Sequence, residues 1–157
     1  MATLILQDTY KELENEIKAI EKIMEDLGHK IKDAREFGDL KENAEYHAAR
    51  EEMSIRIYKK QKLQSHAPFR IIDNDEIETD EVGFGNKVTI IEQGKEEAED
   101  YYILGPIEFD LDLYPLIVTY HSPFGQAVIG KKVNESFTLE IKGKETKFTI
   151  TEIGEVS

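Results

Sequence analysis

From Ala34 to Tyr46 the chain reads Ala-Arg-Glu-Phe-Gly-Asp-Leu-Lys-Glu-Asn-Ala-Glu-Tyr, which sets the end of one helix against the start of another. Gly38 suits the left-handed conformation that stops a helix. Asp39 follows it as a good N-cap, and Glu42 adds the acid favoured at the positive end of a helix dipole. With almost no chain between stop and start, the two helices must run antiparallel.

Upstream of this turn, apolar or small residues recur at Tyr10, Leu13, Ile17, Ile20, Met24, Leu27, Ile31 and Ala34. Their alternating steps of three and four are the seam of a helix packed on a partner helix. Thr9 and Glu12 have the spacing of a capping box and predict the start. Gly28 is the weak point, costing roughly 1 kcal/mol relative to alanine. Downstream, Ala44, Ala48 and Ala49 permit close approach near the turn, and Met53, Ile57 and Leu63 continue a less regular seam. The second helix is expected to run to Ala67, before Pro68. Two helices of about 27 residues each are roughly 40 Å long, so the turn from Phe37 to Glu42 is expected at a far tip.

The second half changes period. Lys87–Ile91, Asp100–Leu104, Leu116–Tyr120, Ser136–Ile141 and Lys147–Ile153 are rich in β-branched and aromatic residues and predict short strands. Lys142-Gly143-Lys144 predicts a hairpin between the last two. Ser122-Pro123, with Gly130 further on, carries the cap, first-turn proline and terminal glycine of a short helix. The expected fold is α+β: a coiled-coil hairpin over residues 1–72, an acidic linker over 73–82, and a small antiparallel sheet domain with a short helix over 83–157.

Charge supports a division. Of 157 residues, those up to Ala67 carry 12 Lys+Arg against 14 Asp+Glu, whereas the remainder carry 8 against 19. The net charge of −13 argues against non-specific binding to duplex DNA, which depends on neutralising phosphates. The absence of cysteine excludes a disulfide framework, a thiol nucleophile and a cysteine zinc site. No apolar stretch approaches the roughly 20 residues that span a bilayer, and the first residues do not form a secretory signal. These features predict a cytoplasmic protein without membrane association. No P-loop, Rossmann glycine pattern, metal-ligand spacing or nucleophile triad appears.

The run Gly38–Glu51, GDLKENAEYHAARE, resembles the tip signature of the Gre family of bacterial transcript-cleavage factors, and HSPFGQAVIGKKVNE, residues 121–135, extends the resemblance. Ala44-Glu45-Tyr46-His47 is similar to the GreA branch of that family. The resemblance implies an FKBP-like C-terminal domain that docks at the rim of the RNA polymerase secondary channel. It also implies a coiled coil that reaches the active centre and the nascent RNA 3′ end. Asp39 and Glu42 are then the tip acids, helping to hold a Mg²⁺ shared with the polymerase, with none on the isolated protein. The factor would be an accessory to the polymerase's cleavage and not an enzyme itself, acting as a monomer.

Arg35, Lys41 and Arg50 flank the tip, where they could meet RNA phosphates. Tyr46 could stack on a base or close the helical seam. Arg56, Lys59, Lys60 and Lys62 read slightly better as a solvated helix face than as an RNA contact. By resemblance, His121, Ser122, Pro123 and Phe124 form the docking turn. The same Ser122 and Pro123 are equally well explained as helix initiators. His121 stands where the family usually has Asp or Asn, and Pro68 interrupts a stretch that is generally helical. Three competing readings remain open at this point: a channel-occupying inhibitor, a prolyl isomerase built on the sheet domain, and a prefoldin-like chaperone suggested by the hairpin alone.

Overall fold

The computed structural model describes residues 1–38 and 43–156. The chain divides into two compact units: Met1–Tyr10 together with Pro68–Ser157, and Lys11–Ala67. The order of elements is β1 (Thr3–Leu6), α1 (Gln7–Arg35), α2 (Ala44–Gln64), β2 (Phe69–Ile72), a 3₁₀ turn (Asn74–Glu76), β3 (Asn86–Glu92), β4 (Glu99–Leu104), α3 (Pro106–Asp110), β5 (Ile117–Thr119), α4 (Pro123–Val128), β6 (Ser136–Ile141) and β7 (Lys144–Glu155).

In the helical unit, Leu13, Ile20, Leu27 and Ala34 of α1 are buried, with Ile17, Met24 and Ile31 half-buried between them. This is the expected seam. The helices are antiparallel, because Ala34 is bonded to Asn43 while Glu21, further back on α1, pairs with Lys60, further on along α2. The seam of α2 differs from the expected one. It runs through Tyr46, Ala49, Met53, Arg56, Lys60 and Leu63, while Ile55, Ile57 and Tyr58 are exposed. Two basic side chains thus occupy seam positions. Arg56 pairs with Glu52 at 3.6 Å, and Lys60 with Glu21 at 3.5 Å. The Nε of Arg56 is buried without a hydrogen-bond partner.

Both helix starts also differ from expectation. α1 begins at Gln7, directly after β1, so Thr9 is not its cap. Thr9 is instead buried, 2% exposed, with its hydroxyl bonded to the Glu108 carboxylate. The cap of α2 is Asn43, whose side chain accepts from the Tyr46 N–H. Asparagine caps a helix as well as aspartate does, and Asp39 lies outside the described residues. α2 ends at Gln64, with Ser65 as its C-cap, four residues before Pro68.

The sheet unit is larger than the expected residues 83–157. β1 and β2 pair in parallel, with Thr3 opposite Phe69 and Leu6 opposite Ile72. Residues 73–82, expected as a linker, belong to this unit. Ile77 and Val82 are 7% and 2% exposed and enter its core, so apolar burial outweighs the acidic composition around them. The main sheet has the order β5-β4-β3-β7-β6. Its other pairings are antiparallel, as expected, but β4 and β5 run parallel. The core is Val82, Val88, Ile90, Ile103, Tyr120, Val128, Phe137, Phe148 and Ile150. β3 alternates in and out through Asn86, Val88 and Ile90, the period that a half-buried strand requires. At the expected hairpin, Lys142 and Gly143 both have positive φ, 51° and 78°, the requirement of a two-residue turn that matches strand twist.

Glu108 is the one fully buried carboxylate among the described residues. It accepts from the Gly105 N–H at 3.0 Å and the Leu6 N–H at 3.1 Å, and from the Thr9 hydroxyl. Burial pushes its pKa above the ordinary carboxylate value, opposed by these hydrogen bonds.

Candidate functional site

The end of the helical hairpin is built around Asn43. Its Nδ2 donates to the Ala34 carbonyl at 2.7 Å, and its Oδ1 accepts from the Tyr46 N–H at 3.1 Å. Ala34 also accepts from the Phe37 N–H at 3.2 Å, and the chain then reaches Gly38 with φ +134°. Asn43 is absent from the residues that the sequence singles out. Its place directly before Ala44 is a capping signal, but Asp39 offers an equally good one.

Tyr46 is 5% exposed and closes the seam, so of its two expected roles the structure supports the packing one. Two guanidinium groups approach its ring, Arg50 at 5.7 Å and Arg35 at 6.0 Å from the centroid. Such cation–π contacts contribute about 0.5–1 kcal/mol each at partly exposed sites. Arg50 Nη1 also donates to the phenol oxygen at 3.1 Å. That hydrogen bond holds the Tyr46 pKa below the ordinary tyrosine value, with Arg35 acting in the same direction against a rise from burial. Both arginines are exposed, and a guanidinium has five donors, so Arg50 keeps donors beyond the one Tyr46 takes. Asp39, Lys41 and Glu42 lie outside the described residues. Among the described residues no group of three or more His, Asp or Glu could hold a metal ion.

The second expected site, His121 to Phe124, belongs to the sheet unit. The Ser122 hydroxyl donates to the Thr119 carbonyl at 2.8 Å and accepts from the Gly125 N–H at 3.0 Å. It is the N-cap of α4, with Pro123 in the first turn. Gly125 has no room for a side chain, because a Cβ there would strike the Thr119 carbonyl. Phe124 points into the unit, stacking on Tyr101 at 5.0 Å and meeting Phe148 and Phe137 edge-on at 5.3 and 5.4 Å. His121 and Pro123 are exposed, and the His121 ring lies 4.1 Å from that of Tyr120. The Tyr120 hydroxyl accepts from the Leu4 N–H at 2.9 Å. Of the four expected docking residues, two therefore present surface and two hold the turn in shape.

No helix among the described residues is long and apolar enough to cross a membrane. Residues 3–66 match the family "Transcription elongation factor, N-terminal", and residues 77–155 match "Transcription elongation factor, GreA/GreB, C-term". The transcription elongation factor GreA of Thermodesulfovibrio yellowstonii is 38% identical over 92% of this chain and 91% of its own. That of Acetivibrio thermocellus is 34% identical over 94% and 91%. Among solved structures, GreA factor homolog 1 of Thermus thermophilus aligns over 98% of this chain and 99% of its own, at 16% identity and a TM-score of 0.44. On the sequence matches, which span both units, the chain belongs to the GreA/GreB family of transcription elongation factors and is of the GreA type.

Proposed function

We propose that the chain stimulates the RNA-cleaving activity of bacterial RNA polymerase on backtracked transcripts, with the helical hairpin entering the secondary channel. The observation that carries this reading is the bond from Asn43 to Ala34. It closes α1 on α2 at the end where the chain between them contains both Asp39 and Glu42. Two carboxylates three residues apart suit Mg²⁺, which takes one or two protein carboxylates and completes its shell with waters and phosphate oxygens. Such an ion, when bound, supplies an activated water and charge stabilisation for phosphodiester hydrolysis. Asp39 and Glu42 would hold it jointly with polymerase residues. Arg35 and Arg50, anchored on Tyr46, would offer their remaining donors to RNA phosphates. His121 and Pro123 would meet the channel rim, on a turn stiffened by Ser122 and Phe124. The cleavage activity itself belongs to the polymerase.

The test is RNA cleavage in a stalled, backtracked polymerase complex, comparing wild type with Asp39→Asn and Glu42→Gln at equal occupancy. Release of short 3′ fragments by wild type, and its loss in both variants, is the expected result. Variants that match wild type would remove the acids from the mechanism. A wild type that only slows the polymerase would make the chain an inhibitor of the same channel.

A further inference from the structure

We propose that the flank of the helical hairpin carries a docking groove for a polypeptide segment of RNA polymerase, one that presents apolar side chains together with a lysine or arginine. The inference rests on the reading above only in taking the polymerase as the partner. On α1, Leu27, Lys30, Ala34 and Phe37 recur at steps of three and four; on α2, Glu45, Ala48 and Glu52 do the same, with Ala49 beside them. Such steps put residues on one face of a helix, and these residues line a groove of about 500 Å³ within the helical unit. Its floor is apolar, formed by the buried Leu27, Ala34 and Ala49. Alanine side chains end at Cβ, so the helices approach closely there and leave the flank unfilled. Phe37 lines the same groove while remaining 84% exposed. An aromatic ring left in water beside an unfilled apolar floor has the makeup of an interface anchor, since aromatic residues carry much of the energy of interfaces that desolvate them.

Charge decides between occupants. Asp33, Glu45 and Glu52 line the groove against Lys30 alone. Glu52 also pairs with Arg56, whereas Asp33 and Glu45 have no ion-pair partner among the described residues. An RNA strand would set phosphates against these carboxylates, and like charges brought together oppose association. A second copy of the chain, also of net charge −13, is disfavoured for the same reason. A polypeptide with apolar side chains for the floor and a cation for Asp33 and Glu45 meets both features, in the manner of an amphipathic segment laid into a groove. Arg35 and Arg50 do not line it, so the hairpin offers different side chains to protein and to RNA phosphates.

The chain has no cysteine, so Ala48→Cys, at an exposed position in the groove, gives a single attachment point for a benzophenone crosslinker. The labelled full-length factor would be bound to core polymerase backtracked on radiolabelled RNA and then irradiated. The crosslink is expected on polymerase protein, in a segment with apolar residues and a lysine or arginine nearby. A crosslink to RNA, to a second copy of this chain, or to nothing in the bound complex would overturn the inference. Polymerase affinity would be measured in parallel for unlabelled wild type, Phe37→Ala and Asp33→Lys. Both variants should keep the fold, because Phe37 is exposed and a lysine in the last turn of α1 suits the helix dipole; helical circular dichroism checks this. Each is expected to bind about 10-fold more weakly. Wild-type affinity in either variant, or tighter binding of Asp33→Lys as RNA in the groove would give, would also overturn the inference. Failure of the wild-type chain to bind polymerase at all would instead bring down the reading of its function, and this inference with it.

Discussion

The backbone N–H of Leu6 donates to the Glu108 carboxylate at 3.1 Å, inside a part of the sheet unit where Glu108 is 0% exposed. Leu6 is the last residue of β1 and Glu108 sits in the first turn of α3, so a single side chain links two elements far apart in sequence. The carboxylate's other oxygen takes the Gly105 N–H. Glutamine has one acceptor oxygen where two are used, and its amide would face an N–H. Glu108→Gln is therefore expected to destabilise the protein by about 1–3 kcal/mol, the cost of a buried donor left unmade.

The same residue sets a pH dependence. Its folded pKa is raised, with burial as the largest cause. A carboxyl group with a raised folded pKa contributes stability that is complete below the unfolded value and is lost as pH rises through the folded one. The stability gap between wild type and Glu108→Gln should accordingly narrow as pH rises from acid to neutral. Urea unfolding at several pH values checks this, and a gap that widens with pH would show the ionised form to be the favoured one.

Gly28 lies within α1, and a Cβ added there would meet nothing within 4 Å. Gly28→Ala is expected to raise stability by about 1 kcal/mol through helix propensity and a less disordered unfolded chain. Thermal unfolding followed by helical circular dichroism would detect it, and cleavage should be unaffected.

On α2, Arg56 occupies a seam position with its Nε unsatisfied. Replacing a poorly paired seam charge with an apolar side chain is often neutral or stabilising by about 1–4 kcal/mol. Arg56→Leu should therefore be at least as stable as wild type in denaturant, and a clear loss would mean that the pair with Glu52 holds the helix in register.

Ser122→Ala should cost about 1 kcal/mol, because the cap of α4 is lost, while Ser122→Asp should restore most of it. If polymerase affinity follows stability through this series, the hydroxyl serves the turn. If affinity falls in Ser122→Asp despite restored stability, Ser122 touches the partner directly. Alanine at the exposed Pro123 or His121 should lower affinity with little change in stability.

Much of this architecture can be read from the residues, and the failures have specific causes. The α1 seam is legible because Leu13, Ile20, Leu27 and Ala34 follow one period without interruption. The seam of α2 is not, since binary patterning places Ile57 inward and Arg56 outward, whereas the structure does the reverse. β1 and β2 are four-residue strands whose pairing is not local, and α3 is a five-residue helix; none is long enough to show a period. The run Asp73–Val82 reads as a linker because its acids hide Ile77 and Val82. The run His121–Phe124 is legible as a motif, but only the hydrogen bonds of Ser122 and the ring contacts of Phe124 show which of its members are structural. At the tip, Asn43 escapes notice because capping chemistry cannot choose between two suitable residues a few positions apart.

The parallel pairing of Thr3–Leu6 with Phe69–Ile72 also constrains how the chain is made. The strand Thr3–Leu6 has no partner until the whole helical segment that follows it has been synthesised. Closing a long flexible loop costs entropy, and unpaired strand edges are exposed to aggregation while they wait. Helices Gln7–Arg35 and Ala44–Gln64 rest on local contacts and can fold first, which shortens the free chain that separates the two strands. Biogenesis thereby acquires an order: hairpin early, sheet unit late. A ribosome stalled before Phe69 would carry a folded hairpin, with Thr3–Leu6 unpaired and still open to protease.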